Sequence, residues 1–230
     1  MSEVQKHGFI WEKNLILNVY GATEEELKKI GYTNKMDLPS SLNRKNPVDL
    51  SIKATGSLNS VCMADCLRVY DAVSSGKPLH MTVIFYNQDD IKNTKKIISI
   101  TEVNLTNSVT LLFGSITREQ IVELIKAVTA VPQKRSPTPE EYRTMYDLRD
   151  SIQANSGAIR LDIKCNSQQS RLQCSFNHFQ KFLEDNPSRV IAMSTSGSFR
   201  GGSVIEEIAS SRRVLKKKTV SAPAPDSAPR

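Results

Sequence analysis

Asp49-Leu50-Ser51-Ile52-Lys53 brings an acid, a hydroxyl and an amine together in five residues, with Asp37-Leu38-Pro39 upstream and Trp11-Glu12-Lys13 earlier still. Read as a strand, the run puts Asp49, Ser51 and Lys53 on one face and Val48, Leu50 and Ile52 on the other. Such a set suits phosphodiester cleavage, which needs an activated water, a clamp on the charge growing at phosphorus and help for the departing oxygen. Carboxylates can hold Mg²⁺, which supplies the clamp and lowers the pKa of its water. An adjacent lysine can orient that water or stabilise the developing charge. Glu12, Asp37 and Asp49 are the candidate metal ligands, Lys53 serves the water, and Ser51 or a backbone carbonyl completes the shell. The same spacing also fits a solvated strand edge on which Lys53 pairs with Asp49.

The elements that must position these residues follow from pattern. An apolar run at residues 9–17 predicts a first helix carrying Glu12, and Thr23 with Glu26 has capping-box spacing for a second over 23–30, with Gly31 as its stop. Residues 34–47 read as polar loop or a weak strand at 36–38, and 48–54 as the strand bearing the site. Ser60 is expected to cap a helix carrying Val61, Ala64, Leu67, Val69, Tyr70 and Val73. Strands are predicted at 81–86, 96–103 and 109–113, then a helix opened by Thr117 with Ile121, Leu124, Ile125 and Val128 on one side. Thr138, Pro139 and Glu141 start another helix, and 158–165 with 171–176 form a hairpin. A short helix at 178–183, a short strand at 190–193, a flexible loop at 197–202 and a last ordered element at 203–215 complete the expectation. The order is that of an α/β or α+β core. It divides into a core at 1–131, a hairpin-and-helix region at 138–215 packed on the same domain, and a disordered basic Pro/Ala tail at 216–230.

The chain has 230 residues, 39% of them hydrophobic, and a net charge of +7, which describes a folded basic protein suited to an anionic partner such as nucleic acid or a membrane surface. Cys62, Cys66, Cys165 and Cys174 carry no Cys-x-x-Cys pair, and His7, His80 and His178 show no ligand spacing, so reduced thiols are expected rather than a zinc site. No run is long and apolar enough to span a bilayer and no secretory leader is visible, so the expected location is cytoplasmic, or wherever a target DNA resides.

The arrangement resembles the restriction-endonuclease-like PD-(D/E)XK nucleases, Type II restriction enzymes among them, in which a helical Glu precedes an Asp at a first strand and an acidic-x-Lys on the next. Glu12 matches the helical acid, Asp37 the first carboxylate and Ser51-Ile52-Lys53 the triplet, with Ser51 standing where Asp or Glu is usual. The resemblance implies a mixed central sheet flanked by helices, a Mg²⁺ cofactor, double-stranded DNA as partner and a homodimer for a palindromic target. It requires carboxylates of Glu12, Asp37 and Asp49 to converge near Lys53. In the second half, residues 157–176 resemble a hairpin that docks on DNA in some Type II enzymes. Alternation puts Arg160, Asp162 and Lys164 on one face and Arg171 and Gln173 on one face of the partner strand, where arginine and glutamine can read guanine and adenine edges.

Asp162-Ile163-Lys164 is a rival acidic-x-Lys, and the hairpin face also fits a simple Arg160–Asp162 pair. Gly197 to Ser203, with Arg200, could grip a phosphate or serve as a connector; Arg212, Arg213 and Lys216 to Lys218 could attract phosphate or solubilise a tail. Besides a site-specific nuclease, the composition admits a binding protein that lacks cleavage and a packaging protein that neutralises nucleic acid.

Overall fold

The computed structural model describes residues 3–30, 36–57, 59–132, 134–195 and 197–210. Its centre is a mixed, curled sheet in which β1 (Asp49–Thr55) runs parallel to β3 (Leu79–Asp89), and β3 is antiparallel to β4 (Thr94–Asn104). The strand β4 also pairs with β7 (Val190–Ser194) and β10 (Glu207–Ala209), both antiparallel. Residues 81–85 of β3, Met-Thr-Val-Ile-Phe, are buried without a break, as a strand covered on both faces demands. On one face, Trp11, Leu15 and Ile16 of α1 (Glu3–Asn18) pack with Leu50, Ile52, Ile84 and Ile100. On the other, Met81, Val83, Phe85 and Val103 meet a larger core shared with α3 (Cys66–Ser74), α5 (Arg118–Thr129), α6 (Pro139–Gln153) and α7 (Phe179–Asp185).

Parallel pairing of β1 and β3 needs a crossover, and its content differs from the predicted helix. Val61–Asp65 is a strand, β2, that pairs with β6 (Gln169–Phe176), and Asp65 rather than Ser60 caps α3 through the N–H of Arg68 at 2.8 Å. Val61 and Met63 alternate inward as a strand requires, and pairing with a partner over a hundred residues away outweighed local helix signals. A second correction is α4 (Val109–Phe113), predicted as a strand: Leu112 and Phe113 are both buried, and Gly114, at φ +62, ends the turn where a Cβ would strike the Asn155 carbonyl. The capping boxes of α2 (Glu24–Ile30), α5 and α6 are present at Thr23/Glu26, Thr117/Gln120 and Thr138/Glu141.

The hairpin β5 (Ile159–Asn166) and β6 turns more tightly than expected, and with β2 it forms a separate antiparallel sheet. The described parts of 1–131 and 138–215 share sheets: β2 joins the sheet of β5 and β6, while β7 and β10 join the sheet of β1 and β3. Residues 197–202 are not a loose connector. Ser198–Phe199 (β8) and Gly202–Ser203 (β9) make a two-residue hairpin whose central Arg200 and Gly201 both have positive φ, and Phe199 is buried. Gly202 lies against the Asn18 carbonyl and Val19, a close approach that no side chain would permit. The expected last element, 203–215, holds Ser203 of β9 and the short strand β10 where described, with irregular chain between them; Gly31, Arg212, Arg213 and the tail at 216–230 lie outside the described residues.

That small hairpin delivers Arg200 to Glu102, which is wholly buried on β4. Arg200 donates through Nη1 to Glu102 Oε1 and Oε2 at 3.0 and 2.9 Å, Tyr20 donates to Oε2 at 3.0 Å, and His80 Nδ1 lies 2.7 Å from Oε1. The Tyr20 and Thr82 hydroxyls share a 2.6 Å hydrogen bond, and Arg200 Nη2 reaches Asn46 Oδ1 at 3.2 Å. Burial alone would raise the Glu102 pKa, but the His80 and Arg200 contacts together hold it below its usual value of 4.5. This stability is present above that value and fades as pH falls through the lower folded-state one. Arg200→Met, which leaves a buried charge without its counterion, is expected to cost about 3–5 kcal/mol at neutral pH. Urea unfolding checks this, and the deficit should shrink on acidification; a variant as stable as wild type at neutral pH would show that Arg200 does not hold Glu102.

Candidate active site

Asp37 approaches the free edge of β1. A single antiparallel bridge joins Leu38 to Leu50, with Leu50 N–H donating to the Leu38 carbonyl at 2.8 Å and Leu38 N–H donating back at 3.1 Å. Pro39 follows and cannot continue a ladder. The Asp37 side chain then takes the place of a neighbouring strand: its Oδ2 accepts Ile52 N–H at 2.6 Å, Ser51 Oγ at 3.1 Å and Lys53 Nζ at 2.9 Å. Lys53 Nζ also donates to the Ile52 carbonyl at 3.1 Å. An ammonium has three N–H bonds, so these two acceptors leave one directed elsewhere. The Lys53 and Asp37 side chains are 17% and 24% exposed, enough shielding from solvent to strengthen the pair.

Glu12 enters from α1, next to the buried Trp11, whose Nε1 donates to the Ile205 carbonyl at 2.9 Å. Burial, and then the negative charge of Asp37, push the Glu12 pKa up to about 7 although Lys53 pulls it down. Glu12 therefore shares the electrostatic field of Asp37 and Lys53 and is poised to hold or release a proton near neutral pH.

Asp49 does not join them, so the expected convergence of three carboxylates near Lys53 fails at this residue. Its Oδ1 accepts the Ser40 N–H at 2.8 Å, and the residue lines a neighbouring cleft. The lysine pairs with Asp37 rather than with Asp49. Among the described residues no three His, Cys, Asp or Glu side chains are grouped as a metal site. Mg²⁺ does not need such a cage, since it is commonly held by one or two carboxylates with waters and substrate phosphate. Asp37 and Glu12 fit that donor set: they repel each other, and Asp37 Oδ1 carries no hydrogen bond within the described residues. Ser51 contributes a donor to Asp37 instead of a ligand.

The rival triplet is differently occupied. Asp162 is held by Arg160 Nε at 2.8 Å and by the Ser175 hydroxyl, and Lys164 sits across from Arg171 in the strand register. Asp162 is paired with Gln173, which is also the partner of Asp65 on β2. Arg160, Lys164 and Arg171 are exposed on this hairpin, with Gln173 half-buried on the same face. Of the cysteines, Cys66 and Cys174 are buried, Cys165 is half-buried and Cys62 is exposed, all as free thiols.

Two features escaped the sequence. The Tyr20–His80–Glu102–Arg200 cluster draws on residues up to 180 positions apart and has no local signature. Arg68 was hidden by the misplaced start of α3; Asp65 three residues before it, a capping spacing, was the available signal. No protein-family model, curated protein or solved structure matches the chain. No helix among the described residues is long and apolar enough to cross a membrane.

The Glu12 value has a consequence for stability. Its folded-state pKa lies above the ordinary 4.5, so the folded protein binds that proton more tightly than the unfolded chain, and stability falls as pH rises from 4.5 to about 7. Glu12→Gln removes the loss, so the variant should match wild type near pH 4 and exceed it at about pH 8 by up to roughly 3 kcal/mol. Urea midpoints at the two pH values check this; a variant no more stable at the higher pH would show that the Glu12 carboxylate is not held against its own charge.

Proposed function

We propose that this chain is a Mg²⁺-dependent endonuclease that cuts double-stranded DNA at a specific sequence, on a restriction-endonuclease-like core. The observation that carries the reading is the meeting of Lys53 and Asp37 at the edge of β1, with Glu12 supplied by a preceding helix. The order helical acid, then an Asp beside a strand edge, then x-Lys on that strand is similar to that of the resembled nucleases, although Asp37 here lies on a segment bridged to β1 rather than on a strand of its own.

Bound Mg²⁺ would supply charge neutralisation at the scissile phosphate and acidify its water. Asp37 and Glu12 are the residues that would hold it, with the Ile52 carbonyl on the same side. Lys53, fixed between Asp37 and that carbonyl, aims its remaining N–H at the attacking water or a phosphoryl oxygen. Glu12, whose pKa burial and the charge of Asp37 raise to about 7, would be drawn into its charged form by a cation bound beside it. Arg160, Lys164, Arg171 and Gln173 offer the hairpin face to DNA, with lysine and arginine on phosphates and glutamine and arginine on base edges. A palindromic target would call for a homodimer.

A second reading, a DNA-binding protein without cleavage, is favoured by two observations: Ser51 occupies the usual acidic place and serves only as a donor to Asp37, and Asp49 is turned to the Ser40 N–H, so the three-carboxylate convergence that the resemblance requires is not met.

Incubation with supercoiled and linear DNA separates the readings. The nuclease gives discrete bands with Mg²⁺ and none with EDTA, and Lys53→Ala slows the cleavage by about 10²–10³-fold while leaving duplex binding in place. Band shifts without cuts from wild-type protein would leave only the binding reading, and cleavage undiminished in Lys53→Ala would remove Lys53 from the chemistry.

A further inference from the structure

A cleft of about 590 Å³ lies between the 36–40 segment, the start of β1 and α3, within the size range of ligand sites. It is lined by Asp49, Asp65, Arg68, Asp71 and Lys77, among others. Arg68 and Met36 also line the smaller hollow that contains Ser51 and Lys53, so the cleft and the candidate active site meet at Arg68.

The acids of this cleft are already engaged. Asp49 accepts the Ser40 N–H, Asp65 accepts the N–H of Arg68, and Asp71 is gripped at two points by Arg118 at 2.8 and 3.2 Å. Counting Arg118, three cations balance three carboxylates. Arg68 and Lys77 are exposed, and among the described residues no carboxylate pairs with either side chain. The guanidinium of Arg68 is therefore a fork of donors that no carboxylate pairs with among the described residues, and Arg68 lines the same hollow as Lys53. The strand register carries the surface onward: Asp65, three residues before Arg68, pairs with Gln173, and Arg171 lies two residues farther along that strand opposite Lys164.

We infer that Arg68, with Lys77 behind it, forms a backbone-phosphate subsite for double-stranded DNA, beside the phosphate that faces Lys53. This rests on the nuclease reading of the Asp37–Lys53 site and adds to it the residue that grips the neighbouring part of the strand. A phosphate contact carries no base information, so its loss weakens all sequences alike and lowers the dependence of affinity on salt.

The test is binding of two short DNA duplexes of unrelated sequence, in EDTA over a range of salt, by wild type, Arg68→Gln, Arg68→Lys and Lys77→Ala. Arg68→Gln is expected to bind both duplexes about tenfold more weakly and to lower the slope of log affinity against log salt by about 1. Arg68→Lys, which keeps the charge, should stay close to the wild-type slope, and Lys77→Ala should show a smaller loss in the same direction. If wild type binds and Arg68→Gln matches it in affinity and slope, the subsite is wrong while the nuclease reading stands. Weakening confined to one of the two duplexes would make Arg68 a base contact and also overturn it. If wild type binds neither duplex, both the subsite and the reading beneath it fall.

Discussion

One carboxylate oxygen organises the edge of this sheet. Asp37 Oδ2 receives the main-chain N–H of Ile52, the hydroxyl of Ser51 and the ammonium of Lys53, three donors from consecutive residues of β1. An outward N–H of an edge strand has no partner in the ladder, and the Leu38–Leu50 bridge satisfies only one position of β1. The side chain of Asp37 therefore completes the strand and in the same act fixes where the Lys53 amine sits. Burial of Leu50 and Ile52 under Trp11 and Leu15 holds the register, since slipping β1 by one residue would drive Ser51 and Lys53 into the apolar face.

Against this fixed pair stands the less comfortable Glu12. Its carboxyl is close enough to Asp37 to feel the like charge and buried enough to lose water, and the attraction of Lys53 does not offset both. A group kept near its midpoint at neutral pH costs stability and gains chemical utility, as many acid–base residues do. The other buried carboxylate, Glu102, shows the opposite outcome: three side chains donate to or contact it, its charge is retained, and it ties the C-terminal hairpin to the middle of the sheet.

The legible parts of this fold were those fixed by short-range physics. The capping boxes at Thr117 and Thr138 and the apolar run of β3 are local, and the chain reads them locally. What was hidden depends on partners far along the chain. Val61–Asp65 is a strand because Phe176, Ser175 and Cys174 lie beside it, and 198–203 is a hairpin because Glu102 and the end of α1 receive it. The site followed the same rule. Asp37 and Lys53 could be paired from spacing and resemblance, whereas Asp49, equally acidic and on the same strand, is turned to the Ser40 N–H by a loop whose path the sequence does not disclose.

The most direct measurement is single-turnover cleavage of a labelled duplex with Mg²⁺ by Asp37→Asn and Asp162→Asn, each alongside duplex binding. Loss of cleavage in Asp37→Asn with binding retained, and a wild-type rate in Asp162→Asn, is expected if the edge of β1 is the active centre. The reverse pattern, cleavage surviving in Asp37→Asn and lost in Asp162→Asn, would contradict it and move the chemistry to the hairpin.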